Sequence, residues 1–313
     1  MAFGSFCDAP MADDLPGWNV ALKQLGDNSN PPCRSPANSA TTCQSFRTRR
    51  IKSYMAARTF TFLGTGTSTG VPMIGCECSV CTSSDLRNHR YRCSVLVKTP
   101  QGNILVDTPP ELRLQLLRAK VGHVNAVVFT HFHADHVMGL DDLRPMPRHL
   151  GGAVPLYCTT EVERKLRSTF SYAFSQDVES VPAGYLPKLS FRSIDETPFM
   201  LLGQRIVPIP LIHAHFNVLG FRFDDVAYCT DVNKIPKESW PLLEGVRILV
   251  LDALRYKPHP GHFCLEEAVE VVERLQPQKA YFTHMSHDLD HEATNRRLPP
   301  NMELAYDGLS FEF

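Results

Sequence analysis

One hexapeptide limits what this chain can fold into. His131-Phe132-His133-Ala134-Asp135-His136 puts three imidazoles and a carboxylate within six residues. It directly follows the apolar run Ala126-Val127-Val128-Phe129-Thr130. A short run rich in β-branched and aromatic residues reads as a strand, so the hexapeptide lies on a loop at a strand end. Neutral imidazole and carboxylate suit Zn, Mn and Fe. Crowded together without a cation, they would leave several polar side chains poorly satisfied. His131 and His133 alternate and can point one way, while Asp135 and His136 can reach a second ion as the chain turns. Two ions need more ligands, and other strand ends are the expected source. His213 follows Ile206 to Ile212, Asp231 follows Ala227 to Thr230, and His284 follows Ala280 to Thr283. Alone, each is as well read as a turn residue or a hydrogen-bonded histidine. The repetition of one positional rule raises all three together.

The remaining pattern fits a layered α/β chain. Strands are expected at Thr59–Leu63, Ser94–Lys98, Asn103–Asp107, Ala126–Thr130, Leu156–Cys158, Arg205–Pro210, Leu219–Phe223, Val226–Thr230, Ile248–Leu251 and Lys279–Thr283. Helices are expected at Pro110–Ala119, Thr160–Phe174 and Leu265–Leu275, the last carrying the stripe Ala268, Val269, Val272 and Leu275. Strand runs with interleaved helices suggest a layered sandwich. No repeat of 20–50 residues is evident. Residues 1–57 differ: Asn28-Ser29-Asn30-Pro31-Pro32, Ser35-Pro36 and a basic run from Arg47 to Lys52 show weak apolar periodicity. This segment is expected to be a mostly disordered extension of a 58–313 domain. Met55 is then a candidate natural start, and a short accessory arm is the alternative.

Composition excludes several classes. The chain has 313 residues, 43% of them hydrophobic and 21% charged, which permits a sizeable core. Its 32 basic and 33 acidic side chains nearly cancel, which argues against a protein that coats nucleic acid. No apolar run has the length of a membrane span, and the N-terminus does not read as a secretory signal. Ten cysteines raise the question of disulfides, but three are packed as Cys76-Glu77-Cys78-Ser79-Val80-Cys81. Such spacing in a large chain points to metal binding in a reducing compartment, so a cytoplasmic protein is expected. Cys93, Cys158, Cys229 and Cys264 read as single core cysteines.

The His131-x-His133-x-Asp135-His136 motif, with His213, Asp231 and His284 downstream, resembles the metallo-β-lactamase superfamily over essentially residues 58–313. The resemblance implies an αββα sandwich with a dinuclear site at the strand edges. It implies that His131, His133 and His213 hold one ion, that Asp135, His136 and His284 hold the other, and that Asp231 bridges. Asp107 matches a position that usually orients ligand histidines; a turn residue ahead of Pro109-Pro110 is the other reading.

A narrower match runs from Leu63-Gly64-Thr65-Gly66 through Gly70-Val71-Pro72 to the cysteine cluster, and includes Thr283-His284-Met285-Ser286-His287. This combination is similar to the PhnP branch, phosphoribosyl 1,2-cyclic phosphate phosphodiesterases. There, three cysteines and a histidine make a separate structural zinc site, here Cys76, Cys78, Cys81 and His287. Three thiolates and one imidazole complete a closed tetrahedral site with no position open for chemistry.

The resemblance also implies two active-site divalent metals (Mn, Zn or Fe), a small and probably cyclic phosphodiester substrate, and a homodimer. It makes His262 a non-ligand active-site histidine that binds phosphate or protonates the leaving oxygen, and so a catalytic residue together with Asp135. Arg92, Arg113 and Arg144 are unranked candidates for a distal phosphate. The loop Gly64 to Gly70 reads either as a glycine turn or as a phosphate cradle, without the Gly-Lys-Ser/Thr ending of a nucleotide loop. The rival relatives are tRNase Z, glyoxalase II and PqqB. The His291-Glu292-Ala293-Thr294 string resembles a tRNase Z motif, but it follows His284 where that family has it before the last metal histidine. Glyoxalase II shares the metal motif but not the cysteine site. PqqB, a non-hydrolytic cofactor-biosynthesis protein, shares the cysteine pattern but tends to have a degraded histidine motif.

Overall fold

The structure, a computed structural model, describes residues 57–175, 181–182 and 184–313. The expected N-terminal extension and the candidate start at Met55 lie outside the described residues. In chain order the first half runs β1 (Thr59–Gly64), β2 (Ser94–Thr99), β3 (Gly102–Val106), α1 (Leu112–Arg118), β4 (Ala126–Val128), α2 (Ala134–Val137), α3 (Met146–Leu150), β5 (Val154–Cys158), α4 (Thr160–Thr169) and β6 (Leu189–Ser193). The second half runs β7 (Phe199–Leu201), β8 (Gln204–His213), β9 (Phe216–Phe223), β10 (Val226–Cys229), α5 (Trp240–Leu243), β11 (Ile248–Asp252), α6 (Leu265–Leu275), β12 (Lys279–Thr283), α7 (His291–Asn295), β13 (Met302–Leu304) and β14 (Ser310–Glu312).

These strands form two seven-stranded sheets, β14-β1-β2-β3-β4-β5-β6 and β13-β12-β11-β10-β9-β8-β7. Each sheet is antiparallel in one half and parallel in the other. The parallel runs are β3-β4-β5-β6 and β10-β11-β12-β13. Side chains alternate across each strand, and both faces are covered. In β2, Val95 and Val97 enter the core between the sheets with Phe60, Phe62, Phe221 and Tyr228. Leu96 faces the other way, into a cluster with Leu112, Leu116 and Leu166 of α1 and α4. On the second sheet, Cys229, Leu249 and Leu251 pack outward against Ala268 and Val272 of α6. Three apolar clusters separating four layers give the expected αββα sandwich.

Some boundaries differ from expectation. The helix expected over Thr160–Phe174 stops at Thr169, because Phe170 leaves helical geometry (φ −111°, ψ 44°) and a 3-10 turn follows at Ser171–Phe174. The first expected helix begins at Leu112 rather than Pro110, and β4 ends at Val128 rather than Thr130. α6 matches its expected span and starts with a capping box between Cys264 and Glu267. Among the described residues, no helix is long and apolar enough to cross a membrane.

Candidate metal centre

The carboxyl ends of the parallel strands open onto one edge of the sandwich, where open α/β sheets place their ligands. Asp107 follows β3, the hexapeptide follows β4, Asp231 follows β10, Asp252 ends β11 and His284 follows β12. His213 ends β8 at the hairpin into β9. Asp107, Asp231 and His284 all take left-handed backbone conformations, with φ of 63°, 53° and 58°. Non-glycine residues rarely adopt this region, and Asp and His are among the side chains that tolerate it best. Three such kinks at one edge mark backbone strain concentrated where the side chains converge.

The chain brings all seven expected donors together. His131, His133 and His213 form one group, and Asp135, His136, Asp231 and His284 form another, with ligand atoms in each group within 4.8 Å of one another. Asp231 faces both groups. Its Oδ1 is 3.9 Å from His131 Nε2 and 3.1 Å from His284 Nε2, and its Oδ2 is 3.1 Å from His136 Nε2. Asp135 Oδ2 lies 3.4 Å from His136 Nε2 and 3.6 Å from His284 Nε2.

The buried Nε2 atoms of His131, His136 and His284 have no hydrogen-bond partner. Buried polar atoms are normally satisfied, so three orphans aimed at shared carboxylates fit a site built for cations. Burial, and then repulsion by His136, holds His131 well below the ordinary histidine range. A neutral imidazole is the form that binds metal. Burial opposes ionisation of Asp231, yet His284 and His136 hold it well below the usual carboxylate range.

Supporting contacts fix the orientation of these rings. Asp107 Oδ2 accepts from His136 Nδ1 at 2.8 Å, and Asp107 Oδ1 accepts from the Thr130 backbone N–H at 2.8 Å. Asp107 is thus an orienting carboxylate as well as a strand-end kink. His213 Nδ1 donates to the Gly261 carbonyl at 2.6 Å. Both contacts leave Nε2 free, as oriented metal-binding histidines require.

His262 packs against the same cluster, its ring 4.6 Å from His284 and 4.5 Å from His213. Its Nδ1 is 2.7 Å from Asp252 Oδ2. Burial disfavours the charged ring, but the Asp252 carboxylate overrides it and lifts His262 to about 9. Asp252 is a residue the sequence reading missed. It obeys the same strand-end rule, one position past Leu251, where the expected strand was closed.

A second cluster stands apart. Cys76, Cys78, Cys81 and His287 have ligand atoms within 4.8 Å of one another. Cys76 Sγ and Cys78 Sγ lie 3.2 and 3.3 Å from His287 Nδ1. Tetrahedral Zn–S and Zn–N bonds would separate such atoms by about 3.5 Å, so the donors are nearly in place. The Cys81 N–H lowers Cys78 to about 6, whereas burial raises Cys81 to about 11.

The Gly64–Gly70 loop resolves as a turn shaped by close packing. A Cβ on Gly64 would lie 2.0 Å from the Arg92 carbonyl, and one on Gly66 would lie 2.7 Å from the Arg90 carbonyl. Of the arginine candidates, Arg92 pairs with Glu111 and Arg144 with Asp141. His291 opens α7, which Asp290 caps, and it is buried and bonded to Asn295, outside both clusters.

Comparison with known proteins identifies the family. A model of the beta-lactamase superfamily domain matches residues 102–285. The chain belongs to the beta-lactamase superfamily. A crystal structure described as a new diphosphatase from the PhnP family is 45% identical, with a TM-score of 0.77, over 82% of this chain and 97% of that one. That similarity places the chain on the PhnP branch. Zn(2+)-bound PqqB from Methylobacterium extorquens shares the fold at 18% identity and a TM-score of 0.65, over 82% of this chain and all of that one. A curated relative named octanoyltransferase, from Porphyromonas gingivalis (strain ATCC BAA-308 / W83), is 36% identical over 251 residues, 79% of this chain. The match spans 50% of that relative's length. The superfamily binds divalent metals, and this chain has its hydrolase fold.

Proposed function

We propose that the chain is a metal-dependent phosphodiesterase for a small cyclic phosphodiester of the phosphoribosyl 1,2-cyclic phosphate type. The observation that carries this reading is the convergence of six donors around a seventh, Asp231, on a chain closely similar to a PhnP-family structure. His131, His133 and His213 would hold one divalent ion and Asp135, His136 and His284 the other, with Asp231 between them. Ions bound there supply a water that deprotonates at neutral pH and neutralise charge on the phosphoryl oxygens.

The chain's own groups do the rest. Asp107 and the Gly261 carbonyl hold His136 and His213 in register. Asp135 spans the edge between His136 and His284. His262, kept protonated by Asp252, carries a proton on Nε2 beside the donor cluster, suited to a phosphoryl oxygen or to the departing alcohol oxygen. Cys76, Cys78, Cys81 and His287 would hold a structural zinc. The substrate would be small rather than RNA, because 32 basic and 33 acidic side chains leave no overall basic excess to neutralise a phosphate backbone.

A diphosphate is the second reading, favoured by the description of the 45% identical structure. Octanoyl transfer is named for a protein about twice the length of the match. The deciding experiment purifies the full chain without added metal, counts ions by elemental analysis, and assays bis(p-nitrophenyl) phosphate. Ribose cyclic phosphates, a nucleoside diphosphate ester and an octanoyl thioester follow. About three ions per chain with turnover of the cyclic ester supports the proposal. Turnover of the diphosphate alone moves the substrate, and turnover of the thioester alone refutes phosphodiester chemistry. One zinc and no turnover after Mn or Zn is added back refutes the dinuclear site.

A further inference from the structure

His262 is not the last imidazole at this edge. His213 and His284 are buried, and His262 packs on them at 4.5 and 4.6 Å. The ring of His259 lies 5.2 Å beyond His262 and is only partly buried. Exposure thus rises along a row that leads from the donor cluster to its mouth. The chemistry proposed above gives His259 no task.

The loop that carries His259 is held tightly. Leu254 N–H donates to the Phe263 carbonyl at 3.0 Å, and Leu265 N–H donates to the Arg255 carbonyl at 2.9 Å, which clasps its ends. The Arg255 guanidinium donates to the carbonyls of Lys257 and Pro258 at 3.1 and 2.9 Å. Pro260 steers His259 toward extended backbone. Gly261 then serves two histidines at once. Its carbonyl accepts from His213 Nδ1 at 2.6 Å, and its N–H donates to His259 Nδ1 at 3.2 Å. A Cβ on Gly261 would lie 3.3 Å from His213 Cε1, so this close approach favours glycine. The residue that orients a donor of the cluster also orients His259.

The bond from Gly261 fixes the protonation of His259. A ring nitrogen that accepts from an N–H carries no proton, so the ring is neutral with its proton on Nε2. Burial, and then repulsion by His262, holds His259 below the ordinary histidine range, which agrees with a neutral ring. Among the described residues, nothing accepts from Nε2. His262 differs, because Asp252 keeps it protonated as an acid. A neutral imidazole N–H binds an anionic oxygen without giving up its proton. Arg92 and Arg144, two candidates for holding phosphate, are already paired with Glu111 and Asp141.

We propose that His259 is a substrate-binding residue whose Nε2–H holds a non-bridging phosphoryl oxygen beside His262. The inference rests on the phosphodiesterase reading of this site. A histidine that served only to anchor the loop would need Nδ1 alone.

Kinetics of the full chain with its ions bound test this, with bis(p-nitrophenyl) phosphate as substrate and inorganic phosphate as competing anion. His259→Asn separates the two ends of the ring. The asparagine Oδ1 stands near the Nδ1 position and accepts from Gly261, but nothing extends to the Nε2 position. A hydrogen bond to a charged oxygen is worth about 10–100-fold in binding, so KM and the inhibition constant of phosphate should both rise by that factor. Uniform binding is lost, so kcat should stay near wild type. Ion content and Tm should not change. His259→Gln, whose amide N–H extends to the Nε2 position, should recover much of the lost binding. Wild-type KM and phosphate inhibition in His259→Asn overturn the inference, as does a fall in kcat with both constants unchanged. A lower Tm in both variants, with His259→Gln no better in KM than His259→Asn, assigns His259 to the loop alone and overturns it too. Wild-type protein that holds its ions yet turns over no phosphodiester overturns the phosphodiesterase reading, and this inference with it, before any variant is compared.

Discussion

At the residue scale, two carboxylates divide the labour of the site. Asp231 faces three imidazole nitrogens at 3.1–3.9 Å, whereas Asp252 addresses His262. Their removal should therefore differ in kind. Asp231→Ala is expected to lose ions from the histidine–aspartate site and activity together, as elemental analysis beside turnover would reveal. Full ion content in that variant would exclude Asp231 as the shared ligand. His262→Ala is expected to keep its ions and lose roughly 10²–10⁴-fold in turnover, the range of a general acid or base. The pH dependence follows from the raised pKa of His262. Its proton is held at neutral pH and lost as pH rises through about 9, so turnover should fall along an alkaline limb there. Asp252→Asn removes the group that raises His262, so the limb should move to lower pH. A pH profile that is the same in wild type and Asp252→Asn would show that this proton plays no part.

At the element scale, the glycine loop after β1 offers a test between two roles. A Cβ at Gly64 would overlap the Arg92 carbonyl, which is backbone and cannot swing away. Gly64→Ala should cost about 1–3 kcal/mol or more, read as a lower denaturation midpoint. A phosphate cradle would instead raise KM and leave the midpoint unchanged. The same contrast explains what the sequence made legible. The six residues from His131 to His136, and the strand-end rule for His213, Asp231 and His284, name all seven converging donors, because each strand closes on the chemistry it carries. Strands β6, β7, β13 and β14 were invisible. They are three to five residues long, each sits at or near a sheet edge, and they exist by pairing rather than by pattern. β14 is the three residues Ser310–Glu312, set by its register against β1. Asp252 was missed for another reason. A residue that orients a ligand need not carry ligand chemistry, and only the folded partner identifies it.

At the scale of the whole molecule, the cysteine cluster has an architectural task. The loop after β1 of the first sheet pairs with Met285, just past β12 of the second, through Thr67 N–H to the Met285 carbonyl at 3.1 Å and Met285 N–H to the Thr65 carbonyl at 2.9 Å. Arg90, almost wholly buried, donates to the Ser286 carbonyl at 2.7 Å and also to that of Leu289. Cys76, Cys78 and Cys81 then reach His287 across the same seam. His284 and His287 are three residues apart, so the seam that joins the sheets also fixes the last donor of the metal centre. A closed thiolate–imidazole site contributes folding free energy directly. Cys78→Ser should thus lose one zinc per chain and unfold earlier. Even a 2 kcal/mol loss lowers Tm by roughly 4–8 °C in a domain of this size. Below the new transition, the histidine–aspartate site should keep its ions and most of its turnover, because none of its donors has changed. A variant with wild-type zinc content and Tm would remove the staple. One that melts normally but loses turnover would assign the cysteines to the chemistry instead.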